Sequence, residues 1–418
     1  MLTMANKEKK AAKKQKKAEK KQLKLDTKAA QKQYKLDKKQ RKKDIKTAKK
    51  NGTYKKSDFL PPDDRIKIGL IGCGGIAHFA HIPAYLINKE RVNVVAVCDI
   101  IPERAEKVKK KFFPDADVYT DYKELLADES IEAVDICTPN YLHSIIAVDA
   151  FAAGKNVFCE KPDAINHVEA AKMYAAAAEA DKLLMVMRNN RFNKNSTYLK
   201  EYIDAGKMGE IYSARCGWLR RRGIPGKGGW FTTKEQSGGG PLIDLGVHMV
   251  DLTLWLMGNP KPVSVTGMTY KCFADSKASD SKNSKFGDSV ENGVFDVEDM
   301  VVGMVRFDNG AVLQLEISWA SNVDKEKRFV ELRGTKAGAY WSGSHVEMYE
   351  ETKRGKLKTR NVSEAMLVPE HTANLNNFID VLLGKEDSVY KIEEGYDMMK
   401  LIDAIYASAD QDGKEVLL

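Results

Sequence analysis

The chain has 418 residues, 43% of them hydrophobic, and a formal net charge of +9. That length is enough to bury at least two cores, and the composition excludes a wholly disordered or fibrous protein. The charge is unevenly placed: residues 1–56 carry 23 Lys and Arg against 5 Asp and Glu, which leaves 45 basic and 54 acidic residues in an acidic body. In chain order the arm, residues 1–60, comes first. It has no continuous apolar run, so it reads as neither a signal peptide nor a membrane span. Like charges on every face oppose a stable helix, and the expectation is a disordered or fluctuating helical arm. It either contacts nucleic acid or anionic surfaces weakly or is a solubilising tail.

Residues 66–71 form an apolar run that leads straight into Gly72-Cys73-Gly74-Gly75-Ile76-Ala77. Glycine there allows a tight turn, close backbone approach to a phosphate, and close strand–helix packing. A helix starting near Gly75 aims free N–H groups and its positive dipole end at a dinucleotide pyrophosphate. A second strand, 92–98, ends at Asp99, placed to accept hydrogen bonds from an adenosine ribose and to repel a 2′-phosphate. This favours NAD, with NADP as the alternative because Arg104 and the lysines beyond it soften the choice.

Pro102-Glu103 opens the next helix. A short strand at 118–120, a helix at 121–126 capped by Asp121, and a strand at 133–137 follow. The last runs into Thr138-Pro139-Asn140 and His143. A helix over 142–153 stops at Gly154, and strand 156–159 ends in Glu160-Lys161-Pro162. An alanine-rich helix at 168–180 and a strand at 183–187 close this half. Strict alternation predicts an α/β Rossmann domain, a doubly wound parallel sheet over residues 61–187, with its ligand at the carboxyl ends of the strands.

After Arg188 the texture changes. Helix 196–205, strand 211–219 and a loop at 220–231 precede Gly238-Gly239-Gly240 and a single helical run at 241–257. Strands 301–307 and 311–319 flank Asp308-Asn309-Gly310, a hairpin turn. Further strands are expected at 329–333, 339–341, 346–351 and 357–362, a mobile inserted loop at 273–293, and helices at 371–383 and 393–411. Residues 188–418 therefore read as an α+β domain with a large, mostly antiparallel sheet. Its terminal helices are expected to pack back on the Rossmann domain. Trp319 and Trp341 are expected on a free sheet face that serves oligomerisation. Six cysteines without metal-ligand spacing suggest packed thiols in a cytoplasmic protein, with no metal site and no disulfide framework.

Two constellations carry chemistry. Lys161 sits at the carboxyl end of a parallel strand, its turn stiffened by Pro162. Asp244 and His248 are i, i+4 neighbours on one helix face, so the carboxylate would orient the imidazole as a general base, with Asp251 behind them. The bland alternative is a structural Asp–His pair. For an oxygen-rich substrate, Arg188, Asn190 and Arg191 follow the last parallel strand. The loop from Arg220 to Phe231 adds three adjacent arginines and Trp230, suited to a ring stacked on an aromatic face and carrying a carboxylate or phosphate. A subunit interface is the competing use of these arginines.

Taken in order, Gly72-x-Gly-x-x-Ala, Asp99, Thr138-Pro-Asn with His143, Glu160-Lys-Pro and Asp244-x-Gly-x-His248-x-x-Asp251 resemble the glucose–fructose oxidoreductase, inositol dehydrogenase and MocA (Gfo/Idh/MocA) family. The resemblance runs from Arg65 to Leu418. It implies an NAD(P)-dependent oxidoreductase that moves hydride between a sugar, inositol or polyol hydroxyl and nicotinamide, in a homodimer or homotetramer. It places Lys161, Asp244 and His248 in the catalytic pocket. The cofactor falls to Gly72, Gly74, Gly75, Ile76, Ala77, Asp99, Thr138, Asn140, His143, Glu160 and Lys161. Two other functions fit the fold: a glycosidase that oxidises its sugar transiently on retained NAD, and a non-catalytic dinucleotide-binding regulator. Retention of Lys161, Asp244 and His248 together argues against the regulator.

Overall fold

A computed structural model describes residues 65–276, 286–364 and 367–418. The basic arm and the centre of the expected inserted loop lie outside the described residues. Six strands form the first sheet: β1 (Ile66–Ile71), β2 (Val92–Cys98), β3 (Asp117–Tyr119), β4 (Ala133–Ile136), β5 (Asn156–Cys159) and β6 (Leu184–Val186). Their order is β3-β2-β1-β4-β5-β6, with every pair parallel. Such strands are covered by helices on both faces, so they are apolar at nearly every position instead of at alternate ones; β4 and β6 are buried throughout. The order reverses between β1 and β4, and a crevice opens there at the carboxyl ends of the strands.

The crossovers are helical. After β1, a π-helical turn at Ala77–His81 continues as α1 (Ile82–Ile87). Then come α2 (Pro102–Lys111), α3 (Tyr122–Leu126), α4 (Tyr141–Ala152) and α5 (His167–Ala180). The Asp121 side chain accepts from the Lys123 amide and starts α3, as the sequence predicts.

Beyond α6 (Lys194–Asp204), the second sheet has nine strands. They are β7 (Ile211–Leu219), β8 (Pro262–Tyr270), β9 (Met300–Phe307), β10 (Val312–Ser318), β11 (Lys327–Gly334), β12 (Ala337–Trp341), β13 (Val346–Glu351), β14 (Leu357–Val362) and β15 (Val416–Leu417). The order is β14-β13-β12-β11-β7-β10-β9-β8-β15, and β7 with β10 is its parallel pair. Gly310, at φ 82°, closes the β9–β10 hairpin. β8 and β15 escape the sequence reading. β8 begins on a proline and contains Gly267, signals that demote a strand.

The short α7 (Lys234–Ser237) precedes a second π-helical turn, Leu242–Gly246, which continues as α8 (Val247–Leu256). The single helical run expected at 241–257 is thus two geometries. α9 (Glu370–Leu382) and α10 (Ile392–Ala409) return to the first sheet's side: Arg91, in the turn before β2, pairs with Asp380 at 2.5 Å, and Asp403 accepts from the amide of His167 on α5 at 2.8 Å. Trp319 and Trp341 correct an expectation. Both are fully buried, because the large apolar indole is worth more in the core than on a strand's outer face. The six cysteines are free thiols, five of them buried.

Candidate active site

The glycine turn is built as its sequence requires. Gly72 has φ 95°, donates its amide to the Cys98 carbonyl at 2.8 Å, and would bring a Cβ within 2.5 Å of the Cys137 oxygen. A Cβ on Gly74 would meet nothing within 4 Å, so this side of the helix start is open. Ile76 and Ala77 face the core. The Asp99 carboxylate accepts the Cys73 and Ile101 amides, each at 2.9 Å, which fixes it at the end of β2 with acceptor capacity to spare. Across the crevice Thr138 Oγ1 is buried without a partner. An open cradle at a helix N-terminus, a held carboxylate and an orphaned hydroxyl fit a dinucleotide.

Asn140 and His143 brace this crevice from beneath. Asn140 donates to the Ser237 carbonyl at 2.8 Å. His143 is buried between the carbonyls of Pro162 (2.7 Å) and Thr138 (3.0 Å), and burial lowers its pKa. A neutral ring has one N–H, and the shorter contact assigns it to Nδ1 and Pro162. His143 therefore ties the start of α4 to the loop after β5.

Lys161 reaches from the end of β5 to Asp244: its Nζ donates to Oδ1 at 2.7 Å and to the backbone oxygen at 3.0 Å. The other oxygen, Oδ2, accepts from the buried Trp319 indole at 2.9 Å. Burial works against the Asp244 charge, yet Lys161 and Arg220 hold its pKa below the ordinary value. The expected Asp244–His248 pair does not form. The π-helical turn widens the backbone at Asp244, and its carboxylate is spent on Lys161 and Trp319. The turn itself is anchored by Glu298, which accepts the Gly240 and Leu242 amides at 2.9 and 3.2 Å.

His248 stands one turn on, beside the Trp218 ring at 5.9 Å. Burial, with the positive charges of Lys161 and Arg328, drives its pKa well below the usual histidine value, so the ring is neutral at physiological pH. It shares a small cleft with Lys161, Arg188, Asn190 and Val247. Two cationic donors and a neutral base thus face one space.

A buried chain that sequence reasoning missed underlies Lys161. His81 lies between Asp135 (Nδ1 to Oδ2, 2.7 Å) and Glu160 (Nε2 to Oε1, 2.8 Å), and Tyr85 donates to Asp135 at 2.8 Å. Burial opposes a charge on His81, but Asp135 outweighs it and raises the pKa. Glu160 is likewise desolvated, and its bond to His81 brings it down to about 2. Glu160 Oε2 accepts the Lys161 amide at 3.0 Å, so the chain ends on the lysine's own backbone. These residues are 54 and 79 positions apart, and no local pattern announces them. His81, Asp135 and Cys137 come close enough to hold a metal ion, yet both ring nitrogens are committed to carboxylates.

The substrate candidates divide. Arg188 and Asn190 border the cleft. Arg191 turns away: it bonds Asp251 at 2.7 and 3.0 Å and Glu394 at 2.6 Å in a buried network that also holds Arg188 and Asp163. Asp251 belongs to that network. Trp230 stacks on Phe231 with centroids 3.8 Å apart, outside the cleft lining. Arg220 is buried near Asp244. The sequence reading overlooked Arg328, which donates to Asn190 Oδ1 at 2.8 Å, and Trp218, because β11 and β7 read only as sheet strands.

Residues 66–188 match the family model described as an oxidoreductase family with an NAD-binding Rossmann fold, and residues 197–340 match the GFO/IDH/MocA C-terminal domain. D-glucoside 3-dehydrogenase of Escherichia coli K12 is 32% identical over 346 residues, 82% of this chain and 95% of the relative. Levoglucosan dehydrogenase of Pseudarthrobacter phenanthrenivorans is 30% identical over 309 residues, 72% of this chain and 77% of the relative. A solved levoglucosan dehydrogenase in complex with NADH and levoglucosan shares the fold at a TM-score of 0.74 and 24% identity, covering 85% of this chain and 99% of that one.

Proposed function

The chain belongs to the Gfo/Idh/MocA family of NAD-binding oxidoreductases, and on that footing we propose that it oxidises a secondary hydroxyl of a sugar, inositol or related polyol, or reduces the corresponding ketone. Residues 61–187 hold the nucleotide and residues 188–418 the substrate. One observation carries the assignment of roles. A histidine kept neutral by burial and neighbouring cations shares a cleft with a lysine fixed on a carboxylate. Gly72, Gly74, Gly75, Ile76 and Ala77 cradle the pyrophosphate, Asp99 takes the ribose hydroxyls, and Thr138 and Lys161 line the crevice towards the nicotinamide, with Glu160 supporting Lys161 from the buried side. When bound, NAD supplies the hydride acceptor.

His248 accepts the hydroxyl proton on a ring nitrogen. Lys161 donates a hydrogen bond to the same oxygen and stabilises the negative charge that develops there. Asp244 holds the lysine in place, a task that the i, i+4 spacing alone would have assigned to orienting the imidazole. The test is NADH formation by the purified protein with NAD and a panel of inositols, aldoses and glycosides, alongside His248→Ala. Turnover that collapses in the variant supports the reading. Glycoside cleavage without NADH accumulation, or NAD binding with no turnover anywhere in the panel, overturns it.

A further inference from the structure

We propose that the substrate carries an oxyanion substituent, a carboxylate or a phosphate, bound by Arg220 and Arg328 around the Trp218 indole. The inference rests on the hydride-transfer reading above and names its substrate class. Arg220, just past β7, is only 6% exposed. Its Nη1 donates to the Gly223 carbonyl at 3.1 Å, while its buried Nε has no acceptor. No carboxylate among the described residues forms an ion pair with it. Arg328, on β11, gives one bond to Asn190, and its nearest carboxylate, Glu370, is 3.9 Å away and shared with Asn189 and Asn193. Its Nε is also buried without an acceptor.

The two guanidinium carbons lie 5.3 and 5.1 Å from the centre of the Trp218 ring. That indole faces His248, and Asn190 borders the same cleft. The contrast with the other buried arginines is chemical. Arg188 and Arg191 are matched by Asp163, Asp251 and Glu394, and their pKa values rise despite burial. Those of Arg220 and Arg328 fall, because burial outweighs the pull of Asp244 and Glu326 on Arg220 and of Glu370 on Arg328. Burying a cation without a bonded carboxylate is costly, and contact with an indole, Trp218 for both arginines and also Trp341 for Arg328, returns only part of that cost. An anion restores the balance, and the planar guanidinium fork suits a carboxylate or phosphate. The two cations that line the cleft, Lys161 and Arg188, are already engaged by Asp244 and by Asp163 and Asp251. Arg221 and Arg222, which the sequence groups with Arg220, bond Asp324 and Ser321 backbone oxygens at 2.9 Å instead.

The experiment is calorimetric titration of the NADH-saturated protein with methyl β-D-glucoside, methyl β-D-glucuronide and glucose 6-phosphate. The same ligands are then offered with NAD, or as their keto forms with NADH, for turnover. We expect an anionic ligand to bind about 10–100-fold tighter than the neutral glycoside, the yield of one charge-assisted hydrogen bond. Tighter glucuronide alone assigns a carboxylate, and tighter phosphate alone assigns a phosphate. Arg220→Gln and Arg328→Gln should each bring the ratio towards one, with Arg220→Lys intermediate. The wild-type ratio decides the matter even if a variant fails to fold. Equal or tighter binding of the neutral glycoside overturns the inference, and its turnover leaves the dehydrogenase reading intact. Selective anion binding with no turnover of any ligand sinks the dehydrogenase reading and leaves the anion subsite standing.

Discussion

His248 shows how a residue's role depends on neighbours remote in sequence. Its neutrality comes from burial first, then from Lys161 and Arg328. A base must be deprotonated to act, so a lowered pKa moves the acid limb of the rate profile downwards. We expect kcat/KM for alcohol oxidation to show no loss through pH 6.5, with decline only well below it. An acid limb centred at or above the usual histidine value would remove His248 from the role. His248→Ala should cost at least about 100-fold in kcat/KM, the lower end of general acid–base contributions. Asp244 was legible as a candidate site residue but not as the partner of Lys161 and Trp319, since a π-helical turn leaves no mark on the i, i+4 spacing.

Among elements, the turn between β1 and α1 separates two uses of glycine. Gly74→Val should leave the fold intact, because its Cβ meets nothing, while weakening NAD binding about 100-fold or more by filling the phosphate cradle; titration with NAD checks it. Gly72→Val should instead unfold or fail to express, since its Cβ has no room against Cys137 and φ is left-handed. The Asp135–His81–Glu160 chain joins the π-helical turn to the ends of β4 and β5. Replacing His81 by Gln leaves two buried carboxylates without a countercharge and should cost about 3–5 kcal/mol. The signs fix the pH window. Glu160, lowered to about 2 from 4.5, stabilises fully above pH 4.5 and loses its effect as pH falls through the folded value. His81, raised from 6.5, stabilises fully below pH 6.5 and loses its effect as pH rises through its folded value. The stability gap between wild type and His81→Gln, read by denaturant titration, should therefore be widest between pH 4.5 and 6.5.

For the whole molecule, the cleft sits where the parallel sheet's carboxyl ends meet α8 from the second sheet's side. Asp251 carries that junction, taking Arg188 and Arg191, while Glu394 of α10 takes Arg191 as well. Asp251→Asn strands part of two buried cations, and we expect a loss of about 3–5 kcal/mol by thermal or denaturant unfolding. Because Asp251 shares α8 with His248, kcat should fall while NAD affinity changes little. A weakened NAD affinity equal to the loss in kcat would show that the damage spreads through the parallel sheet. No helix among the described residues is long and apolar enough to cross a membrane.

What the sequence determined by itself is what local physics controls. Apolar runs alternating with helical segments specified the parallel sheet, and glycines at Gly72, Gly74 and Gly75 with Asp99 marked the nucleotide turn. Asp308-Asn309-Gly310 placed a hairpin, and five motifs in one order identified the family. Within each run or motif the residues lie close together in the chain, where backbone sterics and side-chain periodicity act. The tertiary structure alone decided which charges meet. Lys161 finds Asp244 across 83 positions, His81 joins Asp135 and Glu160, and Arg191, expected at a substrate, pairs with Asp251 and Glu394. Beside Trp218, Arg220 forms no ion pair and Arg328 has Glu370 only at 3.9 Å. Electrostatic pairing depends on distance and burial in the folded chain, and neither is encoded in the spacing of residues along it.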